Sequence, residues 1–339
     1  MRRFLLGLLA IGLIPASRAS AQNTVTVGGV VYTQYKYLVN DTAAHVNQFD
    51  VTRSYVNVIG RFDGGIMTRV TGDVYRTADN SLAFRLKYAH FGWTPKNSPL
   101  TYKMGLLQTS WIDWEEALWD YRMQGPTMVD RNGYLSSSDF GIGADGNFNK
   151  ELVDAQAAVV DGTGYSGGAG DQHKLAMIRI SVRLAPSNDA SRVGGLRLTG
   201  YAQAGAPVGG GKKDRFGGML SYKNKVFTGA AEVFATEDTV FSSTPANVKK
   251  DTKGTLFGFY AVVKPPKSQV ALIGRVDLVD PNTNVTGDKQ TRVIAGVSYQ
   301  LNSHIRLLAD VDAVSYETTP TPANYAAGTQ LLFQSQITF

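Results

Sequence analysis

The chain has 339 residues, no cysteine and only 18% charged residues, with 34 Lys and Arg against 28 Asp and Glu. The lack of cysteine excludes a disulfide framework and any thiolate metal site. Past the N-terminus no apolar run approaches the roughly 20 residues of a helical membrane span, and 36 glycines fit one large β domain.

Met1-Arg2-Arg3 followed by the apolar run Phe4–Ile14 is a basic n-region and an h-region, and Ala19-Ser20-Ala21 is a small-x-small cleavage site. This predicts a secretory signal peptide over residues 1–21 and a mature domain over 22–339; the apolar run is too short for an uncleaved spanning anchor. Removing Arg2, Arg3 and Arg18 leaves 31 basic against 28 acidic residues, a net charge of +3. The pI of 9.3 is therefore no argument for a nucleic-acid partner. A mean hydropathy of −0.14 does not exclude a membrane barrel, whose strands face lipid on one side only.

From Thr24 the chain runs in segments of about ten residues with period-2 alternation, the mark of strands with one apolar face. Val25, Val27, Gly29 and Val31 oppose Thr26, Gly28, Tyr32, Gln34 and Lys36. Over residues 50–62, Val56, Val58 and Phe62 oppose Arg53, Tyr55, Asn57 and Arg61. After an Asp63-Gly64-Gly65 turn, Val70 and Val74 oppose Arg69, Thr71, Asp73 and Tyr75; then Leu82, Phe84, Leu86 and Tyr88 alternate with Arg85 and Lys87. Similar segments at 100–108, 138–145, 152–160, 175–184, 196–204, 216–222, 226–236, 255–263, 270–279, 292–301, 305–314 and 329–339 bring the count to sixteen.

Connections after even-numbered segments are mostly brief, and those after odd-numbered ones mostly long: 109–136, 161–173, 237–253, 280–289 and 316–328. Short turns alternating with long loops are the arrangement of outer-membrane barrels, which a sandwich or propeller has no reason to adopt. In hydrocarbon an unpaired backbone N–H or C=O costs several kcal/mol, so such a sheet must close, and at about sixteen strands the interior holds water. The last segment ends on an aromatic residue, with Leu331, Phe333, Ile337 and Phe339 on one face, and Phe339 resembles the assembly signal of bacterial outer-membrane proteins.

Trp111–Met123 breaks the pattern. It holds Trp111, Trp114 and Trp119, four carboxylates and Arg122, without Gly or Pro, and predicts a short helix inside an all-β chain. Such a helix must be held against something, and the barrel interior is the available place.

Trp119-Asp-Tyr-Arg122, Ser138-Asp-Phe-Gly-Ile-Gly143, Val159-Val-Asp-Gly162, Arg275-Val-Asp-Leu-Val-Asp-Pro-Asn282 and Ile294-Ala-Gly-Val-Ser-Tyr299 resemble, in order, stretches of the phosphate-selective porin O and P family. The resemblance spans most of residues 110–339. It implies a sixteen-stranded antiparallel transmembrane β-barrel, commonly a homotrimer, with the third loop (109–136) folded inward. One departure matters: that family's constriction is rich in lysine and arginine, whereas this loop carries Asp113, Glu115, Glu116 and Asp120 against Arg122 alone.

A pore needs a narrow section and a field across it rather than catalytic groups. Alternation places Arg53, Arg61, Arg69, Arg85, Lys87, Arg179, Arg183, Arg197, Arg275 and Arg306 on the candidate lumen wall, facing the loop's carboxylates. The alternative is that many are rim charges or pair with Asp73, Asp277, Asp310 and Asp312. The three tryptophans either anchor the loop or form a sugar slide; Tyr88, Tyr222, Tyr299 and Phe339 fit interfacial girdles.

His45, His90, His173 and His304 have no metal-ligand spacing, and no cofactor or metal is expected. Residues 205–213 lack the Ser or Thr of a phosphate-binding loop, Lys213 standing in its place. The glycine-rich 161–171 reads as an external loop rather than a calcium site. The expectation is an outer-membrane porin, not an enzyme, passing small hydrophilic solutes and ions, with outer-membrane lipid and lipopolysaccharide as surroundings. The alternatives are a phosphate- or anion-selective channel, a barrel-borne lipase and a closed structural or adhesive barrel.

Overall fold

The computed structural model describes residues 23–39, 41, 44–77, 79–243, 246–318 and 328–339. The expected signal peptide lies outside the described residues. Sixteen strands are present: β1 Thr24–Val39, β2 Asn47–Phe62, β3 Ile66–Arg76, β4 Leu82–Trp93, β5 Leu100–Gln108, β6 Ser138–Phe148, β7 Val153–Val160 and β8 Leu175–Ala185. Then come β9 Gly195–Gly205, β10 Lys212–Lys223, β11 Phe227–Ser243, β12 Ala246–Val263, β13 Val270–Asp280, β14 Gln290–Gln300, β15 Ile305–Tyr316 and β16 Gly328–Thr338. Each pairs antiparallel with its sequence neighbours, and β1 pairs with β16, so the sheet is a closed barrel with no edge.

Closure runs from Val30 opposite Thr338 to Val39 opposite Thr329. The terminal residue completes it: Gly29 N donates to Phe339 O at 2.8 Å, and Phe339 N donates to Gly29 O at 3.0 Å. A side chain at position 29 would strike the Phe339 ring, so glycine is required where that ring crosses the seam. The turn between β2 and β3 likewise depends on Gly64 and Gly65, at φ 76° and 78°.

The distribution of side chains is inverted relative to a water-soluble protein. Val27 and Phe84 are 67% and 69% exposed on the outer wall, while the inward-facing Arg179, Asp277 and Glu232 are almost wholly covered. Apolar surface outside and polar groups inside is the arrangement a lipid-facing barrel with a wet bore requires.

Three details differ from the sequence reading. Strands β11 and β12 run on past the wall, pairing through Val240 and Lys250, where a long loop over 237–253 was expected. The residues over 237–253 show no clear period-2 alternation of apolar and polar types, so nothing local marked them as strand. The connection 186–194 is long although it follows an even-numbered strand. The third is a β-bulge: Thr71 pairs with Tyr88 but Gly72 with Leu86, so Lys87 is the extra residue. Past it Tyr88 no longer shares the outer face of Leu86, and it is buried inside instead of joining an interfacial girdle.

Candidate functional site

Residues 109–137 join β5 to β6 and contain helix α1, Ile112–Trp119, and a single turn, α2, Met128–Arg131. Helix α1 ends at Asp120 in the left-handed conformation. Both helices are joined to inward-facing side chains of the far wall. Arg179 donates to Ser110 O at 2.9 Å, Arg275 to Pro126 O at 2.9 Å and Gln334 to Met123 O at 2.9 Å. Lys223 donates to Ala117 O at 2.8 Å, and Arg131 meets Asp312 at 3.1 Å.

The three indoles are fully buried in these contacts. Trp111 stands edge-on to Phe234 (4.7 Å between centroids), Trp119 edge-on to Tyr260 (5.3 Å), and Trp114 lies beneath the Arg179 guanidinium at 4.2 Å. With no exposed face they hold the segment to β8–β13 and offer a sugar nothing to slide on.

The loop's carboxylates are mostly neutralised. Asp113 pairs with Arg192 of the 186–194 turn at 2.5 Å, and although burial acts to raise its pKa, that guanidinium holds it below the usual range. Asp120 meets Arg306 at 3.2 Å and Lys264 at 3.5 Å. Glu115 turns to the wall, accepts the Trp111 indole N–H at 3.1 Å and lies within hydrogen-bond reach of Glu232. Burial, then the neighbouring Glu232, raise its pKa well above that of a free glutamate. Glu116 has its own cation, Arg122 Nε at 2.9 Å, and with Asp120 it borders open space.

The ten candidate wall cations fall into three groups. Arg179, Arg275 and Arg306 are bonded to the third loop, and Arg275 also pairs with the buried Asp277 at 2.7 Å. Arg61 is exposed beside the first turn; Arg183 and Arg197 bond to the backbone of residues 150–151 near the third and fourth turns. The rest lie along β2–β4. Arg53 and Arg85 share Asp73, at 2.5 and 2.9 Å, while Arg69 and Lys87 have no carboxylate in ion-pair distance among the described residues. Arg69 lies over the Tyr88 ring at 4.4 Å and donates to Asn57 and Thr71; Lys87 lies over Tyr55 at 4.6 Å.

Arg69, Lys87, Glu116, Asp120 and Arg122 line one cavity of about 280 Å³, bounded also by Val30, Tyr32, Tyr55, Asn57, Thr71, Tyr88 and Gln336. It is the space left between α1 and the β1–β4 wall. Arg192, Lys223, Lys264 and Arg131 were not among the sequence candidates, because residues of turns, loops and the last position of a strand such as Lys223 in β10 carry no alternation to place them. His90 is buried, with Nδ1 3.3 Å from Leu106 O, and has no serine partner among the described residues.

No family model matches the chain, and no curated protein is similar enough in sequence to match. Solved structures are. The chain is similar to a loop-deletion form of OmpT, an outer membrane protein of Vibrio cholerae, at 11% identity and a TM-score of 0.65 over 94% of this chain and 99% of that one. Salmonella typhi OmpF, solved in complex with daunomycin, gives 10% identity and 0.65 over 94% and 98%. A variant of the Rh. blastica porin gives 13% and 0.58 over 93% and 100%. The fold is that of the porin barrel. At these identities the likeness extends to architecture, not to the phosphate-selective O and P type suggested by the short motifs.

Proposed function

We propose that this chain is a porin of a bacterial outer membrane, exported by its N-terminal leader, through which small hydrophilic solutes and ions diffuse passively. The third loop narrows the bore by filling the half that faces β8–β15, and solutes pass along β1–β4. The observation that carries this reading is the cavity between Glu116–Arg122 and the Arg69–Lys87 wall, lined by charge on both sides and continuous with no catalytic constellation. The apolar outer wall supports a lipid setting, with lipopolysaccharide around the loop end, and the porin-like architecture supports a homotrimer.

Because Arg69 and Lys87 rest on tyrosine rings and not on carboxylates, the passage carries a net positive lean, and mild anion preference follows. This favours the anion-selective reading over strict neutrality; Glu116 in the same cavity argues against a dedicated phosphate channel. Single-channel reversal potentials in a KCl gradient test it: modest anion preference is expected, and cation preference or strong phosphate block overturns it. Liposome swelling with small sugars separates an open pore from a sealed adhesive barrel, which gives none.

A further inference from the structure

Lys87 is 4% exposed, and its one described hydrogen bond is a long 3.4 Å contact with the Tyr55 hydroxyl. A buried ammonium without an anionic partner is costly, and an ammonium has three donors to satisfy. The cavity around it is therefore built to receive an anion. Its walls limit which kind. Arg69 already spends Nε on Thr71 and one Nη on Asn57, two of its five N–H donors. Opposite, Arg122 is committed to Glu116 at 2.9 Å and Asp120 adds a second carboxylate, so that side repels a second negative charge. Besides Asp120, Arg122 and Gln336, the rest of the lining is apolar or aromatic: Val30, Tyr32, Tyr55 and Tyr88, with Tyr32 and Tyr55 packed edge to face at 6.1 Å.

A tetrahedral, strongly hydrated dianion needs donors on every side to replace its water. This cavity offers cations without a carboxylate partner on one side only; the α1 side sets two carboxylates, Glu116 and Asp120, against the single guanidinium of Arg122, and ring surface fills much of the rest. Resting on the pore reading above, we infer that the cavity between α1 and β1–β4 is a binding subsite for small monocarboxylates bearing a flat apolar body. The carboxylate meets Lys87 and Arg69, and the apolar body lies among the tyrosines. At about 280 Å³ the space suits a single-ring acid, near the lower limit of ligand pockets.

The test uses the refolded mature barrel in planar bilayers, with chloride current measured as sodium benzoate, acetate or phosphate is added. Benzoate is expected to reduce the current at a half-blocking concentration about ten-fold below that of acetate or phosphate, the gain expected from covering part of one ring. Lys87→Gln is expected to raise that concentration about ten-fold, as loss of a charge-assisted hydrogen bond does, and Lys87→Arg to restore most of it. Lys225→Gln, in an exposed turn, leaves it unchanged. Phosphate blocking as well as benzoate, acetate matching benzoate, or Lys87→Gln without effect overturns the subsite while leaving the pore intact. A folded barrel with no current overturns the pore reading and the subsite together.

Discussion

Along β8–β15 the inward cations Arg179, Arg275 and Arg306 each hold a residue of the third loop, and buried carboxylates such as Asp154 and Asp277 complete the pairing. Along β2–β4 no described bond joins the same residue types to the backbone of the third loop, and Arg69 and Lys87 lean on tyrosine rings. The two halves of one lumen thus put the same chemistry to different ends. Where charge is cancelled it fixes structure; where it is held by an aromatic face it is left uncancelled beside the cavity.

The sharpest way to break this contrast is to unpin the loop. Trp119→Ala removes a buried indole from the Tyr260 contact and is expected to lower stability by about 3–5 kcal/mol, read by thermal unfolding in detergent, with larger and noisier single-channel current. Unchanged conductance would mean that the loop does not narrow the bore there. Arg275→Met leaves Asp277 buried without its guanidinium, for about 3 kcal/mol; the further change Asp277→Asn should recover much of it in the same melting experiment.

Glu115 gives the contrast a pH dependence. Its carboxyl, raised by burial and then by Glu232, holds a proton in the folded state that the unfolded chain releases near pH 4.3. Stability from this group is complete below that pH and is lost as pH rises through the raised folded value, at up to about 1.4 kcal/mol per pH unit. Glu115→Gln should flatten the corresponding slope of melting temperature against pH; a slope unchanged by the substitution would remove Glu115 from the account. The smallest stability effect belongs to Arg69→Gln with Lys87→Gln, which orphan no carboxylate and should cost less than about 1 kcal/mol. That pair should nevertheless move the reversal potential in a KCl gradient toward zero, and an unmoved potential would place the anion preference elsewhere.

Much of the fold was legible because strand signals are local. Alternations such as Val56 and Val58 against Tyr55 and Asn57 need only their own neighbours, so the strand count and the lipid face could be read in order. The candidate site was legible only in part. Glu116, Arg122, Arg69 and Lys87 were among the named residues, but nothing in their spacing separated them from Asp113, Asp120 or Arg275, whose partners stand far away in sequence.

The amino-acid sequence by itself determined a closed, inside-polar sheet and an aberrant tryptophan-rich helix between β5 and β6, since period and composition are properties of contiguous residues. Only the tertiary structure decided which cations stay unpaired. The bulge at Lys87 turns Tyr88 inward, and the docking of α1 consumes the charges opposite it; both follow from register and contact between strands that the chain brings together only on folding.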